Sequence, residues 1–63
     1  MTNHTWTRAL LLAALDSGCH NIRIRSVKPT LRLIGVGMVG AITKNMHGYI
    51  QEFPIEAVEE VTK

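Results

Sequence analysis

Sixty-three residues make one domain at most, here taken as 1–63. With 46% apolar and 19% charged residues the chain is too apolar for disorder. Doubly wound nucleotide folds, TIM barrels and two-lobed enzymes are excluded by length, and net charge is +2 but unevenly laid out. Residues 1–16 balance Arg8 against Asp16. Residues 17–51 carry Arg23, Arg25, Lys28, Arg32 and Lys44 with no acid, and residues 52–63 carry Glu52, Glu56, Glu59 and Glu60 against Lys63. A basic centre beside an acidic end is an electrostatic signal for a partner or for internal pairing.

The first element in chain order is a helix at 6–17, capped by Thr5 or Thr7 and ended by Gly18. Arg8 before the apolar run Ala9–Leu15, followed by Asp16-Ser17-Gly18-Cys19, loosely resembles a lipoprotein cleavage signal. Asp16 stands where that signal needs an aliphatic residue, so the helix is preferred. At 100° per residue Trp6, Leu10 and Ala13 share one side, and Leu11, Leu12 and Leu15 spread over the other. Leucines nearly all round predict burial on two sides, by the chain's own sheet and by another chain. Trp6, Leu11, Leu12 and Leu15 are the expected self-association residues. The need is general: ordering a residue costs roughly 1.5 kcal/mol, and a chain this small buries only about 60% of its unfolded surface. Cys19 is the only cysteine, so no disulfide within the chain can help, and a reducing, cytoplasmic location is expected.

Next, Asn21–Val27 alternates isoleucine with arginine, a strand with one wet face. Lys28-Pro29-Thr30 predicts a turn, and Leu31–Ile34 a returning strand in which Arg32 faces Arg25. Like charges opposite each other call for an anion between them, so Arg23, Arg25, Lys28 and Arg32 are the expected partner-binding residues. The anion is an acidic protein surface, nucleic-acid phosphate, or the chain's own Glu56–Glu60 segment. Ile34–Ile42 is apolar on both faces and broken by Gly35, Gly37 and Gly40, which predicts a glycine-bent strand pair. Lys44–Gly48 reads as a turn and Tyr49–Phe53 as a strand. After Pro54, Ile55, Val58 and Val61 recur at helical spacing.

Gly35-Val36-Gly37-Met38-Val39-Gly40 matches G-x-G-x-x-G and resembles the dinucleotide-binding fingerprint of NAD-dependent dehydrogenases. The required helix would run through Thr43, Asn45 and Gly48, all poor formers, and too little chain follows for a parallel sheet. Gly48, Phe53-Pro54, Val58 and Val61 resemble the end of SH3-like small barrels, in which an aromatic-proline pair leads through one 3₁₀ turn into the closing strand. The bent Leu33–Thr43 stretch resembles their curved strands. That resemblance implies an α+β chain with the N-terminal helix packed on a small antiparallel barrel, residues 54–58 forming the 3₁₀ turn. It does not extend to a proline-rich ligand, because the aromatic cluster that grips one is missing. The alternative is an open α-β-β-β-α sheet with a C-terminal helix at 54–62.

His4, Cys19, His20 and His47 match no zinc spacing. No nucleophile–base arrangement is legible, so the expectation is no enzyme, no metal and no cofactor. The function expected is that of a small non-enzymatic regulator docking onto a larger protein. By analogy of size alone, phage-type inhibitors belong to this class. A nucleic-acid binder using the same arginines is the alternative.

Overall fold

The computed structural model describes residues 5–63; His4 lies outside them. The order is α1 (Arg8–Asp16), β1 (Asn21–Ile24), β2 (Leu31–Val36), β3 (Gly40–Lys44), β4 (Ile50–Pro54), a 3₁₀ turn (Ile55–Ala57) and β5 (Val58–Thr62). Thr7, not Thr5, caps α1, its Oγ1 accepting the Leu10 N–H at 3.1 Å. Gly18 ends it at φ +88°. The Gly18 N–H donates to the Leu15 carbonyl and the Cys19 N–H to the Ala14 carbonyl, a Schellman motif.

The strands form one antiparallel sheet in the order β4-β3-β2-β1-β5. The expected barrel does not close: β4 and β5 are the two edges and do not pair with each other. The sheet is nevertheless curled. Five strands laid flat would put the edges about 19 Å apart, whereas the three-residue 3₁₀ connection spans at most about 14 Å. Gly40 on β3 lies where β4 passes into this turn, packed so closely on the Phe53–Ile55 backbone that no side chain fits.

The alternative C-terminal helix at 54–62 is contradicted by β5, and the reason is a bulge. Arg23 opposes Glu60 and Ile24 opposes Val58, leaving Glu59 as the extra residue. One extra residue puts Val58 and Val61 on the same side of a strand, although their spacing of three is that of a helix. The expected sequence of a 3₁₀ turn followed by a strand is what the chain adopts. A second irregularity in β2, at Ile34, separates the Leu33–Thr43 pair from the Gly35–Ile42 pair.

Leu11, Ile22, Ile24, Leu31, Leu33, Ala41 and Val58 form the core between α1 and the concave sheet face. Thr43 is the buried polar residue, and its hydroxyl donates to the Gln51 carbonyl at 3.1 Å. No helix among the described residues is long and apolar enough to cross a membrane.

Candidate functional site

The glycine motif is structural. Gly37–Val39 turns the chain between β2 and β3, and the Gly37 N–H donates to the Gly40 carbonyl. The backbone N–H groups of Val39 and Gly40 both donate to Oε2 of Glu52, at 2.8 and 3.0 Å. Amides that in a nucleotide fold would cradle a phosphate hold the chain's own carboxylate. A Cβ on Gly37 would displace that carboxylate. Gly37→Ala and Glu52→Ala are each expected to cost about 1–2 kcal/mol. Combined, they cost less than the sum, because both break the same contact. Urea unfolding of the two single variants and the double variant checks this.

The four expected partner-binding residues do not act together. β1 stops at Ile24 because Ser26 turns the chain at φ +67°, with the Val27 N–H donating to the Ile24 carbonyl. Arg25 therefore leaves the ladder and does not face Arg32; Asn21 does. Arg25 donates to the Glu56 carbonyl at 2.7 Å, and Arg23 pairs with Glu60 at 3.2 Å. Both arginines meet the chain's own C-terminal segment. The Arg23–Glu60 pair is more than half exposed and contributes at most about 1 kcal/mol. Lys28 is exposed in the β1–β2 connection.

Arg32 is different. It stands directly opposite Lys44 in the β2–β3 register, and Lys44 opposes Ile50 on β4. All three are exposed, and among the described residues neither cation makes an ion pair. One row on the convex sheet face thus reads Asn21, Arg32, Lys44, Ile50. Ile34 at the β2 bulge, Met46 and Tyr49 before β4, and Ile50 all expose apolar surface near this row or its edge. Lys44, Tyr49 and Ile50 were missed as site residues, because Lys44 reads as part of a turn. The two-residue turn at Met38–Val39 would by itself set Arg32 opposite Asn45; the bulge at Ile34 shifts it to Lys44.

Of the expected self-association residues, Leu11 is fully buried in the chain's own core. Trp6 and Leu15 are partly buried against that core. Only Leu12 faces outward, half exposed like Leu10, with Ala9 and Ala13 exposed between them. An open groove of about 500 Å³ lies along β5, lined by Trp6, Arg23 and residues 59–62. The Trp6 Nε1 is buried without an acceptor among the described residues. No three His, Cys, Asp or Glu side chains gather to hold a metal ion among the described residues. The chain matches no protein-family model, no curated protein and no solved structure.

Proposed function

We propose that the chain is a non-enzymatic binding protein that regulates or inhibits a larger protein by docking on it through the convex sheet face. The observation that carries this reading is the Arg32–Lys44 pair. Two like charges placed opposite each other cost stability, and among the described residues no acid forms an ion pair with either. An acidic partner surface supplies the missing charge, with Ile50 and Tyr49 adding apolar contact beside it. Arg23 and Arg25 drop out of the binding set, and Lys28 stays at its margin. Self-association through α1 is retained in reduced form, on Leu12 and Leu10. The lone Cys19 supports a reducing, cytoplasmic setting.

We also propose kinship with SH3-like small barrels in an open form. Phe53-Pro54 leading into a 3₁₀ turn and then β5 supports it.

Nucleic acid is the second reading, since phosphate would satisfy the same cations. Against it, Tyr49 is the only exposed aromatic among the described residues, where binding of single strands uses several stacked rings. The test is capture from the native source by the wild-type chain and by Arg32→Glu/Lys44→Glu, with gel shifts on DNA and RNA at low salt. A protein retained by the wild type, released by salt and lost from the double variant is the expected result. Capture unaffected by the charge reversal, or retarded nucleic acid, contradicts it.

A further inference from the structure

We propose that the partner docks by adding an extended strand to the edge of β4, a strand in which acidic and apolar residues alternate. This rests on the reading of Arg32 and Lys44 as the docking cations and names the form of the partner.

Three observations carry it. First, β4 has β3 on one side and no strand on the other among the described residues, so its outer N–H and C=O groups are free to pair. Its five ladder pairs with β3, Lys44–Ile50 to Gly40–Pro54, are in unbroken register. Regular edges are the ones that accept another strand, and here Pro54, which has no N–H, blocks only the last position of β4. The opposite edge is guarded: β5 is bulged at Glu59 and carries Glu59 and Glu60.

Second, this edge is apolar where it is most open. Tyr49 is 70% exposed and Ile50 62%, and Met46 stands 87% exposed in the preceding turn. An incoming strand has alternate side chains on the same convex face, beside Ile50. With its acidic residues on that face, towards Lys44, its apolar residues fall on the opposite face, the side of Tyr49 by alternation with Ile50.

Third, the charge inboard of the edge has one sign. Lys44 is one strand in and Arg32 two strands in, along the row that ends at Ile50. Acidic residues of the incoming strand are drawn to Lys44 first. Glu52, the acid on β4 itself, is already held by the Val39 and Gly40 N–H groups.

A second copy of the chain is a poorer occupant. Pairing β4 with β4 gives cations on both sides and no acid except Glu52, which the Val39 and Gly40 N–H groups already hold. In β5 the bulge and the Arg23–Glu60 pair both stand against a flat ladder.

The experiment is a titration of the ¹⁵N-labelled full chain with a short capped peptide of alternating glutamate and valine. Three comparisons accompany it: a lysine–valine peptide, a glutamate–valine peptide N-methylated at every residue so that neither edge can donate, and Lys44→Glu protein. The proposal expects saturable shifts centred on residues 49–54 and slowed amide exchange along β4. Binding should weaken about tenfold or more in each comparison. No shifts at millimolar peptide and low salt would overturn strand addition. Equal binding of the N-methylated peptide would overturn strand addition alone, because the charge-driven docking reading needs no ladder hydrogen bonds. Equal binding of the lysine peptide, or by Lys44→Glu, would overturn both. Sedimentation of the free chain as a dimer that the peptide dissociates would overturn the choice of a foreign strand.

Discussion

Gly40→Ala is expected to leave most of the chain unfolded at room temperature. An added Cβ would run into the Phe53 carbonyl oxygen and lie 2.7 Å from the Ile55 nitrogen and 2.9 Å from the Pro54 carbonyl carbon. All three are backbone atoms, so no side-chain rotation relieves the clash. They also sit at the crossing from β4 into the 3₁₀ turn, where a short connection holds the sheet in its curl. Overpacking alone costs about 1–3 kcal/mol when side chains can yield; against fixed backbone the cost is at the top of that range or above it. A core this small rarely supplies more than about 3–5 kcal/mol. Gly35→Ala is the control, because its Cβ would meet only Ile42 at ordinary contact distance, 3.8 Å. Circular dichroism and urea titration should show Gly35→Ala folded and Gly40→Ala not. A folded Gly40→Ala chain would contradict the close approach of β3 to the Phe53–Ile55 crossing.

Leu11→Ala is expected to cost about 2–5 kcal/mol, the usual range for truncating a fully buried leucine. Leu11 is the buried residue of α1 and joins the helix to Ile22, Leu31 and Leu33. Leu12→Ala, one residue on and half exposed, should change stability by about 0.5 kcal/mol or less. The contrast, read from urea midpoints, separates the side of α1 that folds the chain from the side open to a partner. Equal losses at the two positions would contradict the placement of α1 on the sheet.

The two leucines also mark what the sequence made legible. Helical periodicity places a leucine on a side of the helix but does not say which side meets the sheet when apolar residues run nearly all round. Gly18 as terminator, the bent strand pair around Gly35–Gly40 and the passage from Phe53-Pro54 through a 3₁₀ turn into a strand could all be read from residue types with a local physical meaning. The bulge at Glu59 could not. It breaks the two-residue period that identifies a strand, so Val58 and Val61 carried the mark of a helix. Ser26 had the same effect on the site. A serine at positive φ has no sequence signature comparable to glycine, so the isoleucine–arginine alternation runs on to Val27, three residues past the end of β1, and places Arg25 opposite Arg32. Arg32 instead faces Lys44, in a register set by the β2–β3 turn together with the bulge at Ile34.

The thermal midpoint of Lys44→Glu, compared with wild type at low and at high salt, reads the repulsion between Arg32 and Lys44 in the free chain. If Arg32 and Lys44 repel each other in the free chain, replacing the lysine by an acid turns a like pair into an opposite one. A cross-strand pair is worth about 0.2–1 kcal/mol. In a domain of this size that raises the midpoint by several degrees, at about 4–8 °C per kcal/mol. The gain should shrink at high salt, as exposed charges are screened. A variant that is more stable alone yet no longer captures the partner is the predicted result. A midpoint unchanged or lowered at low salt would contradict a cation pair held open for an acidic partner.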